Sequence, residues 1–342
     1  MATAPSDAAP DDDLDRFVRA EMARQRIPGV AIGIIRADGS VKAAGYGFAD
    51  LEHQVPVTAR TLFQSASAGK HLTAIAAMLL VEDGKLALDD SVATYFPEAP
   101  RAFHAVTVRH LLGHTGGIPE YTDGGFDYQR DYTEADLIAK TLARPPEFTP
   151  GTRWSYSNTG YALLGFLIGR AGGQHYGEIL RTRVFGPAGM TSARVISEAD
   201  VIPHRASGYR LVGGEVKHQT WVSPMLNTTG DGALYWSIDD LVAWDRTLRA
   251  GAILKPESWK LIYAPAVLAG GETHPYGFGW DVAPVRGHAR HRHDGDWQGF
   301  KVDIVRFPDD GLTVVALCNL AEAVPERFTD GLVALIAPEL AP

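Results

Sequence analysis

The sequence predicts an α/β fold of the α+β type: one antiparallel sheet built from both ends of the chain and flanked by helices, with a mainly helical region inserted between. Three observations predict it. Short β-rich runs occur near the start of the chain and again near its end. Helical apolar spacing dominates the stretch between them. Tight turns at Asp38-Gly39 and at Pro308-Asp309-Asp310-Gly311 join neighbouring β-rich runs in hairpin fashion.

Taken in order, residues 1–11 are rich in Ala, Pro and Asp and are expected to be a disordered tail. Residues 12–27 carry Leu14, Phe17, Val18 and Met22 on one helical face, and Pro28 is expected to stop that helix. Strands follow at 30–35 and 41–47. A helix is expected from about Ser67 through Leu80, with Leu72, Ile75, Ala76, Leu79 and Leu80 at helical spacing. Further helices are expected at 108–112, at 133–142 with a Thr133/Asp136 capping box, at 161–171 and at 238–250. Strands return at 277–282, 288–293, 299–307 and 312–318, and a last helix at 328–336. The expected division is a sheet domain of residues 12–66 and 275–342 and a mainly helical domain of residues 67–274, with the active site at their junction.

Composition narrows the function classes. The net charge of −9 and the lack of a basic run argue against a nucleic-acid partner. The lone Cys318 excludes an intrachain disulfide and a cysteine metal cluster, and its apolar surroundings mark it as a packed thiol. No run of apolar residues reaches membrane-spanning length. The first residues lack the apolar stretch of a signal peptide, so a cytoplasmic location is expected, or a periplasmic or secreted one if a signal has been removed. The sequence leaves the oligomeric state open.

Three short patterns carry chemistry. Ser67-Ala68-Gly69-Lys70 places a serine and a lysine one turn apart at the start of a buried helix. The helix start offers free N–H groups to a developing oxyanion, and a desolvated lysine can serve as a base. Tyr156-Ser157-Asn158 lies in a turn before a helix, and a tyrosine near a cationic lysine can act as a general base. His293-Asp294-Gly295 lies in a strand, where glycine lets another chain approach the backbone closely. A second His-x-Gly, His114-Thr115-Gly116, reads as a loop with a glycine turn.

In that order and with their flanks, Thr61-Leu62-Phe63, Val108 to Gly117 and Pro150-Gly151, these boxes resemble the serine β-lactamase and penicillin-recognising superfamily over about residues 12–340. The resemblance is to the branch of class C β-lactamases, D-Ala-D-Ala carboxypeptidases and family VIII esterases. It implies a β-lactamase/transpeptidase-like fold and a hydrolase that works through an acyl-enzyme on ester or amide substrates, D-residue peptides included, without cofactor or metal. It implies Ser67 as nucleophile, Lys70 and Tyr156 sharing the proton work, and His293 on the opposite wall near Tyr156. Asn158 would bond Lys70 and the substrate, with Asp294, Gly295 and Asp296 beside it in the substrate site. The N–H groups of Ser67 and of the residue after Gly295 would form the oxyanion hole.

One departure bears on specificity. The third box is His-Asp-Gly where class C enzymes usually carry Lys-Thr-Gly. Asp294 is therefore expected beside the acyl pocket, where it would repel a substrate carboxylate by roughly 4 kcal/mol at 4 Å in an effective dielectric near 20. That favours esters or amine-bearing substrates over penicillins and D-Ala-D-Ala peptides. A β-lactamase or carboxypeptidase is the alternative within the family, and a penicillin-binding sensor that acylates without turnover is the alternative from another class. A metal hydrolase built on His291, His293 and Asp296 is disfavoured: no further histidine completes the set.

Overall fold

The computed structural model describes residues 12–342, so the expected disordered tail of residues 1–11 lies outside the described residues. Helix α1 (Asp13–Gln25) starts on Asp12, whose side chain accepts the Asp15 N–H. It ends before Pro28, at Arg26, which takes a left-handed φ of 62° and caps the last turn. Strands β1 (Gly29–Ile35), β2 (Val41–Asp50) and β3 (Val55–Pro56) follow. The last three strands are β4 (His291–Trp297), β5 (Phe300–Phe307) and β6 (Leu312–Cys318). They form one six-stranded antiparallel sheet in the order β4-β5-β6-β1-β2-β3. The two chain ends meet where Val30 pairs with Cys318 and Ile35 with Thr313.

Alternation along these strands serves two cores. Ile32, Ile34, Val314 and Ala316 pack with Val18 of α1 and with Phe328 and Leu332 of the C-terminal helix Glu326–Ile336. Ala31, Ile35, Val315 and Leu317 belong to the other core, with Leu72 and Ile75 of α2 (Lys70–Glu82) and Trp244 of the helix Ile238–Arg249. Every residue of β1 is buried, which is why it reads as an unbroken apolar run. Helix α2 is buried from Lys70 through Leu80, and each fully covered Leu or Ile on it contributes about 2–3 kcal/mol. It is a rigid central post, not a surface helix.

The inserted region holds α3 (Val108–Leu112), α4 (Glu134–Leu142) and α5 (Asn158–Gly172). The Thr133/Asp136 capping box forms as expected, and α5 starts three residues earlier than expected because Ser157 caps it. Two strand expectations fail. Residues 277–282 make no strand: the Gly277 N–H bonds the Trp280 carbonyl at 2.8 Å and turns the chain back. The strand expected at 288–293 begins only at His291 and runs on to Trp297. Val285 and His288 exchange both backbone hydrogen bonds around a two-residue turn, which occupies the expected strand start. The hairpin Tyr209–Val212/Glu215–His218 and the helix Pro256–Ile262 are additional elements that periodicity did not single out.

Candidate active site

Residues 61–70 are buried except Ser67, which is half-buried. A single 3-10 turn, Ala66–Gly69, leads straight into α2. Ala66 takes a left-handed φ of 46°, a costly conformation for a residue with a side chain, and so turns the chain just before the serine. The turn is clamped from two sides. Ser65 donates its N–H to the Leu234 carbonyl at 2.8 Å and its hydroxyl to the Gly232 carbonyl. A Cβ on Gly232 would lie 1.9 Å from the Ala66 oxygen, and one on Gly295 2.7 Å from the Ser65 oxygen and 3.1 Å from the Ala68 nitrogen. Gly295 of β4, the sheet's edge strand, therefore sits backbone-to-backbone on the serine turn, as the sequence anticipated for a glycine there.

Lys70 is fully buried, and its Nζ donates to Ser67 Oγ at 2.9 Å, Asn158 Oδ1 at 2.8 Å and the Asp231 carbonyl at 2.7 Å. The two carbonyl-type oxygens can only accept, so they consume two N–H groups in any protonation state. Of these three partners Ser67 alone can donate or accept, so a serine proton can reach the lysine along that bond. The Tyr156 ring lies 4.9 Å from Nζ and the Tyr161 ring 5.7 Å. Asn158 is the first residue of α5, and its N–H is held by Glu120 Oε1 at 2.7 Å.

His293 is buried on β4, with Nε2 2.8 Å from the Tyr276 hydroxyl and Nδ1 2.6 Å from the Asp294 carbonyl. Its ring centroid is 6.2 Å from that of Tyr156. Burial, helped by the Lys70 charge, lowers it to about 4, so it is neutral at pH 7. The second His-x-Gly is no mere loop. His114 is buried, has φ 56°, and its ring lies 4.3 Å from that of Tyr156. Sequence reasoning missed His114, Tyr276, Glu120 and Asp231. The Gly230-Asp231-Gly232 triplet was a signal of close backbone approach; Tyr276 carried none.

Asp294 is placed differently from expectation. Strand alternation puts it on the face of Arg292, opposite the face of His293 and Gly295. Its register partner is Asp303, whose carboxylate bonds Arg292 and Thr329 of the C-terminal helix. Its side chain is exposed there and is not among the residues lining the cleft beside Ser67. Asp296 shares that face, pairing with Lys301 at 2.6 Å, although it also reaches the cleft rim. His291 stacks on Tyr263 at 3.9 Å, so it does not converge with His293 and Asp296.

The serine opens into a cleft of about 120 Å³ whose lining includes Glu120, Tyr121, Asn158, Asp231 and Trp297. Burial pushes both Glu120 and Asp231 above their usual carboxylate range. Next to the cleft, His71 bonds the Ala68 carbonyl through Nδ1 at 2.6 Å and accepts the Trp244 indole N–H at 2.9 Å. Burial lowers it to about 3, and lowers His291 to about 3.

These histidines predict acid lability. A base depressed in the folded state is protonated first in the unfolded chain. Its stabilisation is thus complete above about pH 6.5 and is lost as pH falls toward 4, at about 1.4 kcal/mol per pH unit for each histidine. Asp303, raised to about 6 by burial, works the opposite way below that pH but is outnumbered. The melting temperature is expected to drop steeply between pH 7 and pH 4.5. A flat profile over that range would contradict the buried neutral assignment.

The family described as Beta-lactamase matches residues 14–338. The chain is 32% identical over 295 residues to penicillin-binding protein 4* of Bacillus subtilis (strain 168), covering 81% of this chain and 65% of that protein. It is 28% identical over 317 residues to the D-aminopeptidase of Gluconobacter oxydans (strain 621H), covering 90% of this chain and 58% of that protein. The chain thus spans less than two thirds of either curated relative. The octameric penicillin-binding protein homologue from Pyrococcus abyssi superposes with a TM-score of 0.84 at 29% identity, over 96% of this chain and 78% of that one.

Proposed function

The chain belongs to the Beta-lactamase family, and on that premise we propose that it is a serine hydrolase that forms an acyl-enzyme on Ser67 and acts on amides, peptides or esters carrying a free amine. The observation that carries the reaction is the position of the Lys70 side-chain nitrogen, bonded at once to Ser67, Asn158 and the Asp231 carbonyl. Ser67 attacks the carbonyl while its proton passes to the unprotonated Lys70 amine. Tyr156, whose ring lies 4.9 Å from that nitrogen, gives its hydroxyl proton to the leaving group and recovers one from Lys70, so the two move a single proton from serine to leaving group. The N–H groups of Ser67 and Asp296 receive the oxyanion, a role supported by the close seating of Gly295 on the serine turn. Asn158 orients the substrate amide while holding Lys70.

The amine preference rests on the cleft acids. Glu120 and Asp231 line it, and Asp296 stands at its rim. A substrate ammonium about 4 Å from one such charge gains up to roughly 4 kcal/mol at an effective dielectric near 20, and a carboxylate loses the same. The name D-aminopeptidase, borne by a relative, fits that chemistry. The direction inferred from Asp294 therefore survives on different acids. The relevant experiment compares D-amino-acid p-nitroanilides with their N-acetyl derivatives and a chromogenic cephalosporin, following product and intact mass together. The free amines are expected to turn over fastest, and Glu120→Gln to narrow their advantage about tenfold, the worth of about 1.4 kcal/mol. Equal rates on free and acetylated substrates would remove the amine reading. A stoichiometric burst without turnover would replace the hydrolase with an acylating sensor.

A further inference from the structure

Between the two histidine boxes lies a set of hydrogen bonds whose direction is forced at both ends. The Ser157 N–H, which can only donate, points to His114 Nδ1 at 3.1 Å, so the His114 proton sits on Nε2. The Asp294 carbonyl, which can only accept, lies 2.6 Å from His293 Nδ1, so that nitrogen holds the His293 proton and Nε2 is a bare acceptor. The Tyr276 hydroxyl stands between, 3.3 Å from His114 Nε2 and 2.8 Å from His293 Nε2. It must take the first proton and give its own to the second. All three side chains are buried.

We infer that His114 and Tyr276 are positioning residues that act on the reaction through His293 and Tyr156, by threading this one-way chain through the buried wall beside Tyr156. The chain ties the helical wall, where Ser157 caps α5, to the edge strand that carries Gly295 and Asp296. His114 also brackets Tyr156: its carbonyl accepts the Ser155 N–H at 2.9 Å and its ring accepts the Ser157 N–H, so the residue between is held on both sides. Every donor in the chain is spent, and neither imidazole can take a proton without setting N–H against a donor or reversing Tyr276. Both rings stay neutral. His114 itself is depressed well below the usual histidine range by burial and by Lys70, in keeping with this. The inference rests on the proposed role of Ser67.

Two measurements test it. Nitrogen-15 spectra of the histidine-labelled, unmutated protein are expected to show His293 as the Nδ1–H tautomer and His114 as the Nε2–H tautomer. The reverse tautomer, or a charged ring at pH 7, at either site would overturn the chain. Tyr276→Phe keeps the ring and removes both bonds; kcat is expected to fall on the order of 10–10² with KM within a few fold, as for a sub-ångström loss of positioning. Adding His114→Phe should cost less than His114→Phe does alone, since the bond between His114 and Tyr276 is already cut and only the Ser157 contact remains to be lost. Wild-type kcat in Tyr276→Phe, or a loss confined to KM, would overturn the role. If that variant does not fold, the tautomers alone decide. Fluorophosphonate labelling of the unmutated protein at Ser67 is scored separately: its failure would sink the proposed function and leave the tautomers standing.

Discussion

Ser67→Ala abolishes turnover and fluorophosphonate labelling, and the melting temperature barely moves: that is the largest effect expected of a single substitution here. Ser67 is the one half-buried residue in a stretch that is otherwise sealed, so its hydroxyl is what the cleft presents. The loss in kcat is expected on the order of 10⁶, the scale of removing a nucleophile whose partners cannot substitute for it. Stability loses only the hydroxyl's bond to Lys70, worth about 1 kcal/mol. Intact-mass spectra before and after labelling give the answer directly. Labelling retained at another serine would end the assignment.

Lys70→Met and Tyr156→Phe are each expected to lower kcat by about 10²–10⁴, the usual worth of a positioned acid–base group. Methionine keeps the buried volume of α2 while removing all three donated bonds, which leaves Asn158 Oδ1 and the Asp231 carbonyl without their donor. That variant should therefore also melt earlier, unlike Ser67→Ala. The double variant should lose far less than the product of the two, because lysine and tyrosine move one proton as a unit. Rates measured at saturating substrate for the four proteins close the cycle. Full additivity would leave Tyr156 as a packed ring.

The parts of this site legible in the sequence are those in which chemistry and spacing are local. Ser67 and Lys70 lie one turn apart, and Tyr156 and Asn158 bracket a helix cap, so periodicity alone places each pair. The antiparallel sheet was legible because β-rich runs stand at both ends of the chain and tight turns join neighbouring ones. What stayed hidden depends on contacts between distant segments. His114 and His293 share a pattern too common to carry meaning until Tyr276, in no motif at all, is seen between them. Asp294 follows His293 in sequence but not in face, since neighbours on a strand point to opposite sides. Glu120 reads as an ordinary surface acid, and only the fold brings its carboxylate under the N-terminus of α5.

The pairing of Val30 with Cys318 has a consequence for the order of events during synthesis. The β1–β2 hairpin and α2 are local and can form while the chain is short. The strand that seats Gly295 beside Ser67, and the two strands that join it to β1, are made long after Ser67. Contacts of such long separation form slowly, because the loop must close before they reward it. The proposed acyl transfer would therefore be a late reporter of folding, silent in any partly folded species that lacks β4. A nascent chain carries Ser67 through the synthesis of everything between α2 and β4 before the strand beside it exists.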